Sequence, residues 1–414
     1  MTVTESNSHQ RRRYLWFGVC LAVFALLFAG FWLPHEERFF HYATRSHGEN
    51  WDFRVYYAAG HNWALGLDPY ASQYEAPTVR SAAKPIRFPR QETIRFIYPP
   101  TLLPAYRWLA HIPYRKARSD WRDLNFILLA AAGIVAVVLE RSRRLEVSAA
   151  LLLAGMVSFP LLYHVRQGNI DMIVAGLATC GFLLYGRLRS WPTAFLLALA
   201  IAAKLTPLLI LAALVIYYRD WRILLKTAAL LAVMVAVSLL FVPLRYYREA
   251  ARVLFVRSQS MPGAVNQSAM RFLHTVPWAP RYLSLIAFAC LFVGLYRLGR
   301  RADASTKALR RSGEAPDIRM FALTVLVMLL FTPLAWVWTY VWVIVPMAML
   351  LVGRQRLHGT TGRLILLSAV ALMSAPIARH GAVLDSLTMI GGAIALVALV
   401  LCCLGVLDSE PRPA

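Results

Sequence analysis

Long apolar runs separated by short polar segments dominate this chain. Four runs come close to the roughly 18–20 residues that cross a bilayer as one helix: residues 15–33, 147–163, 170–185 and 386–405. A soluble core could bury one such run but not this many. The pattern predicts an all-α polytopic membrane protein with a single transmembrane domain.

Two shorter apolar stretches are not expected to cross as straight helices. Residues 101–113 are too short to span, which favours a re-entrant or interfacial segment. Residues 192–218 are predicted to form a hairpin of two short arms that turns outside at Lys204–Leu205–Thr206–Pro207. With these assignments the chain has about 12 spans. The alternative lets residues 101–113 cross and treats residues 191–218 as one kinked helix.

Basic clusters set the expected orientation, because arginine and lysine favour the cytoplasmic side of short loops. Residues 1–13 and 406–414 are then cytoplasmic tails, and residues 14–405 are the membrane domain, with outer loops at about 34–99 and 244–280. The alternative would move Arg141, Arg143 and Arg144 outside, so it ranks lower. We expect residence in the plasma (inner) membrane, with the polar motifs on the extracytoplasmic face.

Composition agrees with a membrane protein. The 414 residues are 59% hydrophobic and 16% charged, whereas soluble domains are about 45–50% apolar and about 25% charged. The net charge of +23 is assigned to contact with membrane lipids rather than nucleic acid, because the basic residues flank apolar runs. The five cysteines form no CxxC pattern, so neither a metal site nor a disulfide framework is predicted.

The first outer loop carries a candidate catalytic carboxylate. Apolar residues after Trp51 recur at helical spacing until the Asp68–Pro69–Tyr70 turn, which predicts an amphipathic helix at the membrane surface. Asp52 stands at the start of this helix, beside aromatic residues. It could act in catalysis, or it could serve only as a helix cap.

Lys204 and the Gln167–Gly168–Asn169 turn are further candidates. Lys204 lies between two apolar stretches that each rise only about 20 Å, so a position within the membrane is expected. A cation there suits a lipid phosphate, and the alternative is an interfacial lysine that snorkels. The amides of Gln167 and Asn169 suit sugar hydroxyl groups, and the alternative is helix capping.

Several of these motifs, taken in order, resemble glycosyltransferase family 87, also called the DUF2029 family. They extend over about residues 50–346: Asp52–Phe53–Arg54–Val55–Tyr56–Tyr57–Ala58–Ala59–Gly60, Gly66–Leu67–Asp68–Pro69–Tyr70, Tyr98–Pro99–Pro100, Gln167–Gly168–Asn169, Lys204–Leu205–Thr206–Pro207 and Asn266–Gln267–Ser268. The resemblance implies the polytopic GT-C fold. It also implies a polyprenyl-phosphate-sugar donor, as in the family's α-1,2-mannosyltransferases, and a glycolipid or glycan acceptor.

The resemblance further implies an inverting transfer in which Asp52 is the general base. Lys204, Arg166 and Tyr98 are then expected at the donor phosphate, and Gln167, Asn169, Asn266 and Gln267 at the sugars. No Walker A, GxSxG, HExxH or DxD motif occurs, so neither a nucleotide-dependent mechanism nor a cofactor is predicted.

One motif departs from the family. Where members commonly carry Ser-Trp-Asp/Glu-His near a late outer turn, this chain has Val337 and Trp338 in place of the acid and the histidine. Trp336 and Trp338 are candidates for sugar stacking or for an interfacial aromatic belt, and His274 could replace the missing histidine. Two other functions stay open: a glycolipid transporter or flippase, and an inactive GT-C scaffold.

Overall fold

The computed structural model describes residues 51–404 apart from several gaps. The gaps are residues 71–78, 82–83, 87–95, 141, 188–189, 258–265, 274–278, 302–308, 310–314, 333–334, 354, 356, 358–359 and 375–385. The predicted span at residues 15–33, both predicted tails and His274 therefore lie outside the described residues.

The first part of the fold is helical apart from one short antiparallel ribbon. Its elements are α1 (Trp51–Ala64), β1 (Val79–Ser81), β2 (Lys84–Ile86), a 3-10 turn (Pro100–Leu102), α2 (Leu103–Leu109), α3 (Tyr114–Leu139), α4 (Arg144–Val157), α5 (Phe159–Gln167) and α6 (Asp171–Leu184).

The second part contains the remaining helices. They are α7 (Ser190–Ala203), α8 (Leu208–Tyr218), α9 (Trp221–Leu239), α10 (Leu244–Arg257), a 3-10 turn (Ala269–Leu273), α11 (Ala279–Arg301), α12 (Ile318–Phe331), a 3-10 helix (Val337–Val343), α13 (Ile344–Val352), α14 (Thr360–Ser374) and α15 (Leu387–Cys403).

Three helices of the described chain are long and apolar enough to cross a membrane. These are α3, α9 and the Tyr282–Arg301 part of α11, and the bent pair α4–α5 would be a fourth if it forms one span. Seven further stretches are apolar but shorter. The chain is therefore a predominantly helical membrane protein, while the count of about 12 spans stays a prediction.

The predicted span at residues 147–163 is not one continuous helix, and it stays a prediction that the bent pair crosses the membrane. The chain bends by 57° between the helices on either side of Ser158. Ser158 is extended, and its hydroxyl accepts a hydrogen bond from the Leu161 amide (3.3 Å). Pro160 in the first turn of α5 has no N–H to continue α4. Together these two residues end one helix and start the next.

The two short apolar stretches have the expected interruptions. Residues 101–113 contain only a 3-10 turn and the seven-residue helix α2. Residues 192–218 break between Ala203 and Leu208, where Pro207 precedes α8. The predicted outer loop at 244–280 contains a helix that the sequence reasoning missed. This helix, α10, buries Tyr246 and Ala250, which lie one turn apart.

Helix α1 is buried in protein over most of its surface, whereas the predicted amphipathic helix would expose a polar face. Phe53, Tyr56, Tyr57 and Ala59 are all at most 3% exposed. Their rings pack against aromatic residues that follow in the chain: Tyr98, Tyr106, Tyr114 and Trp121. Aromatic residues around most of the helix surface therefore form a core, so the amphipathic interpretation was wrong.

Gly60 sets the distance between α1 and α2. A Cβ atom at this position would lie 2.0 Å from the carbonyl oxygen of Tyr106. Only glycine allows the two backbones to approach this closely. The contact fixes α1, and with it Asp52, relative to the segment that begins at Tyr98.

Candidate active site

Asp52 is half-buried in the first turn of α1. Its Oδ2 accepts a hydrogen bond of 2.7 Å from Nδ2 of Asn169, 117 residues later in the chain. The positive end of the helix dipole favours a carboxylate in this turn. The side chain therefore meets a distant polar group, which a helix cap alone does not require.

Asn169 is placed by the turn between α5 and α6. Gly168 ends α5 in the left-handed conformation (φ 67°), which glycine adopts without strain. The Asn169 Oδ1 then accepts the Asp171 amide (2.9 Å) at the start of α6, while Nδ2 faces Asp52. The capping interpretation of this amide is therefore confirmed, and its Nδ2 also donates to Asp52, while contact with a sugar hydroxyl group stays a prediction. Gln167 is buried at the end of α5, 6% exposed.

Two tyrosine hydroxyl groups lie beside this contact. The Tyr56 hydroxyl donates to the Tyr98 oxygen (2.8 Å) and accepts from the Ile170 amide (3.3 Å). The Tyr98 oxygen also lies 3.4 Å from Asn169 Nδ2. Burial raises the pKa of the Tyr98 hydroxyl well above its usual range, so the group stays protonated.

Lys204 forms a buried ion pair. Its Nζ donates to both carboxylate oxygens of Asp171, at 2.8 and 2.9 Å, and Trp342 Nε1 donates to Asp171 Oδ1 at 3.3 Å. The side chain of Asp171 is 1% exposed and that of Lys204 is 24% exposed. Lys204 is therefore held at a fixed position, and the snorkelling interpretation does not fit.

The surroundings tune the acidity of Asp52. Desolvation raises its pKa from 3.8 to about 6, against the hydrogen bond from Asn169, which lowers it. The charge of Asp171 raises the pKa further, and the charge of Lys204 lowers it. A carboxylate with a pKa near 6 can accept a proton at neutral pH more readily than an ordinary aspartate.

The late aromatic residues form a stack with α5. Trp336 and Trp338 lie face to face with centroids 5.3 Å apart, and Trp338 stacks on Tyr163 at 5.6 Å. Trp338 is 7% exposed, and its Nε1 is buried without a partner among the described residues. The guanidinium of Arg166 lies 5.8 Å from the Tyr163 ring centroid. The stack is thus connected to the turn that holds Asn169.

The Asn266–Gln267–Ser268 motif connects distant chain segments through hydrogen bonds. The side chains of Asn266 and Gln267 are fully buried. Asn266 Oδ1 accepts the Ala335 amide (3.1 Å), and Gln267 Oε1 accepts the Met389 amide (3.1 Å). Direct contact with a sugar, as the resemblance implied, does not fit these two side chains, because they are fully buried and their side-chain oxygens already accept backbone N–H groups.

Sequence reasoning missed four residues of this region: Tyr56, Trp121, Asp171 and Trp342. Asp171 carried a usable signal, because an acidic side chain at the start of an apolar helix demands a partner. Trp342 gave no signal, since its contact depends on tertiary packing. Within the described ranges, no group of three or more His, Cys, Asp or Glu side chains could hold a metal ion.

The chain matches the model of "Glycosyltransferase family 87" over residues 96–333. No curated protein and no solved structure matches it. The matched segment contains Tyr98, Asn169, Asp171 and Lys204, while Asp52 precedes it and joins them through its hydrogen bond. The match covers more than half of the sequence, and the chain therefore belongs to glycosyltransferase family 87.

Proposed function

We propose that the protein moves a sugar, mannose as the resemblance implies, from a polyprenyl-phosphate donor to a hydroxyl group of a glycolipid or envelope glycan. The transfer is inverting and takes place on the extracytoplasmic face of a GT-C fold. The observation that carries the proposal is the meeting of Asp52, Asn169 and the Asp171–Lys204 pair. A proton acceptor and a cation thus stand on either side of one polar turn.

The reaction needs one base and one site for the leaving phosphate. Asp52 takes the proton of the acceptor hydroxyl group while the oxygen of that hydroxyl group forms a bond to the anomeric carbon of the donor sugar. The bond between this carbon and the phosphate oxygen breaks, and the electron pair leaves with the polyprenyl phosphate. The phosphate is already a good leaving group, so a strong general acid is not required.

Lys204 and Tyr98 are suited to the donor phosphate. Lys204 supplies positive charge, and a bound phosphate would share it with Asp171. The Tyr98 oxygen accepts the hydrogen bond of Tyr56, which leaves its own proton free for a phosphate oxygen. Arg166 and the Trp336–Trp338 stack lie on the neighbouring helix and loop, where they would contact a sugar or its phosphate.

The test is transfer by protein purified in lipid nanodiscs. A panel of polyprenyl-phosphate sugars with a labelled sugar is offered together with lipid and glycan extracts as acceptors. We expect transfer from one donor, and loss of transfer in Asp52→Asn and Asp52→Ala at unchanged yield of folded protein. Asp123→Asn is the matched control, because Asp123 is an exposed aspartate on α3 with 56% of its side chain accessible.

Three outcomes would contradict the proposal. Full activity in both Asp52 variants would remove it as the base. Movement of a labelled glycolipid across vesicles without sugar transfer would favour a flippase, and absence of both activities would favour an inactive scaffold. The topology is tested separately: labelling of a cysteine at Ser142 from outside the cell would place the basic α3–α4 loop on the wrong side.

A further inference from the structure

Trp121 connects the helix of Asp52 to the turn of Asn169. Its ring lies 6.0 Å from that of Phe53 and 5.4 Å from that of Tyr56, both on α1. Its Nε1 donates a hydrogen bond of 2.9 Å to the carbonyl oxygen of Gly168. One side chain on α3 thus contacts both the helix that carries Asp52 and the turn that carries Asn169, and it is 8% exposed.

The same turn is held from a second direction by Asn125 and His164. Asn125, one helical turn after Trp121, donates from Nδ2 to the Trp121 carbonyl (2.9 Å). Its Oδ1 lies 3.3 Å from Nε2 of His164, and an oxygen acceptor requires the proton on that nitrogen. The His164 carbonyl in turn accepts the Gly168 amide (2.8 Å). Hydrogen bonds therefore fix both the N–H and the C=O of Gly168.

The hydrogen bonds at Gly168 affect the position of Asn169. Gly168 is the left-handed residue that turns the chain toward Asn169, so a rotation here moves the Asn169 side chain. A hydrogen bond of 2.7 Å weakens steeply when its partners separate. A misplacement of about 1 Å at a reacting group costs roughly a hundredfold in rate.

We infer that Trp121 is a positioning residue: its indole N–H holds the Gly168–Asn169 turn at the distance from α1 at which Asn169 donates to Asp52. The effect on rate rests on the proposed function, whereas the effect on the Asp52 carboxyl does not. Trp121→Phe is the most specific variant, because it keeps an aromatic ring against Phe53 and Tyr56 and removes the indole N–H that donates to Gly168.

The experiment titrates the Asp52 carboxyl directly. Its carboxyl band is isolated in infrared difference spectra as the band that Asp52→Asn removes, and it is followed with pH in nanodiscs. The groups facing it are Asp171, Lys204, Tyr98, Tyr56 and the Asn169 amide. Trp121→Phe leaves the charged and hydroxyl groups of this set in place and loosens only Asn169, whose hydrogen bond lowers the pKa of Asp52, so the midpoint moves up from about 6.

A double-mutant cycle tests whether Trp121 acts on Asp52 through Asn169. In the Asn169→Ala background, Trp121→Phe should cause no further shift, since the bond through which it acts is already absent. Trp221→Phe is the control, because Trp221 is 64% exposed at the start of α9. In the transfer assay Trp121→Phe should lower kcat about tenfold and leave the KM for the donor within about twofold.

An unchanged midpoint in Trp121→Phe, or an equal shift with and without Asn169, overturns the inference. If Trp121→Phe does not fold, Asn125→Ala replaces it; a midpoint that rises in this variant supports the inference, and an unmoved one overturns it. If the wild type transfers no sugar but Trp121→Phe raises the midpoint, the positioning role stands and the proposed function fails. If the wild type transfers sugar but Trp121→Phe does not move the midpoint, the proposed function stands and the positioning role fails.

Discussion

Asn169 donates a hydrogen bond of 2.7 Å to the carboxylate of Asp52, across 117 residues of sequence. This bond lowers the pKa of a carboxyl that burial raises to about 6. Transfer should therefore increase with pH along a one-proton limb with an apparent pKa near 6, because the base must be ionised. Asn169→Ala should move this limb to higher pH and lower kcat.

Rates measured from pH 5 to pH 8 at saturating donor test this expectation. The control is Asn62→Ala, an asparagine ten residues further along α1 than Asp52. A limb that stays in place in Asn169→Ala would show that the hydrogen bond does not act on the ionisation that limits transfer.

The raised pKa of Asp52 also has a cost in stability. The folded protein holds this proton up to about pH 6, whereas the unfolded chain releases it near 3.8. Between these two values the folded state binds more protons, so the free energy of unfolding falls as pH rises. The destabilisation is complete above pH 6, and Asp52→Asn should therefore raise the unfolding temperature at pH 7.5 while it abolishes transfer.

Thermal unfolding in detergent at pH 4.5 and pH 7.5 tests the sign of this effect. The gain from Asp52→Asn should shrink at the lower pH, where the wild-type carboxyl is largely protonated. A gain of equal size at both pH values would mean that it does not come from ionisation.

The ion pair between Lys204 and Asp171 makes single substitutions there hard to interpret. Lys204→Ala leaves the Asp171 carboxylate buried without its cation, which typically costs about 3–5 kcal/mol. Lys204→Ala combined with Asp171→Asn should unfold at a higher temperature than Lys204→Ala alone, because no uncompensated charge remains. Additive losses in the double variant would contradict this coupling.

The same pair allows phosphate binding to be separated from folding. Asp171→Asn retains Lys204 and removes its competing anion, so the donor KM should fall in this variant. Lys204→Ala with Asp171→Asn should raise the donor KM well above that of Asp171→Asn. Equal donor KM values in the two variants would remove Lys204 from the phosphate site.

The sequence predicted the helical membrane architecture well, because apolar runs and prolines act locally. The short helical segment within residues 101–113 and the break at Pro207 followed from length and composition. The break at Ser158 was missed because hydropathy does not register a proline in the first turn of a helix within an apolar run. The burial of α1 was missed because its partners, such as Tyr106 and Trp121, lie far along the chain.

The site was partly predictable for a different reason. Asp52, Asn169, Tyr98 and Lys204 were singled out separately, and the fold brings them to one place. Spacing alone did not pair Lys204 with Asp171, because the two residues are 33 positions apart and meet only when α6 packs against α7. In the sequence, Asn266 and Gln267 look like ligand-binding residues. Their side-chain amides can equally well hydrogen-bond the backbone of neighbouring segments, which is what they do in the structure.

The aromatic stack gives a prediction about the acceptor. Trp336 is half-buried, while Trp338 is packed between Trp336 and Tyr163. If Trp336 stacks on a sugar, Trp336→Ala should raise the acceptor KM and Trp336→Phe should retain most of the binding. The exposed Trp108→Ala is the control, with 67% of the residue accessible. An unchanged acceptor KM in Trp336→Ala would favour the aromatic-belt interpretation.

The approach of α1 to α2 at Gly60 predicts a steric effect on the whole site. A methyl group at Gly60 would lie 2.0 Å from the Tyr106 carbonyl oxygen and 2.8 Å from the Arg107 amide nitrogen, so one helix must shift. Gly60→Ala should therefore lower the unfolding temperature and reduce transfer together, because α1 carries Asp52. Gly294→Ala is the matched control: Gly294 is also helical, and nothing lies within 4 Å of a Cβ there. Alanine favours a helix over glycine by about 1 kcal/mol, so this control should be neutral or slightly stabilising. If Gly60→Ala behaved like Gly294→Ala, the close contact between α1 and α2 would not be what positions Asp52.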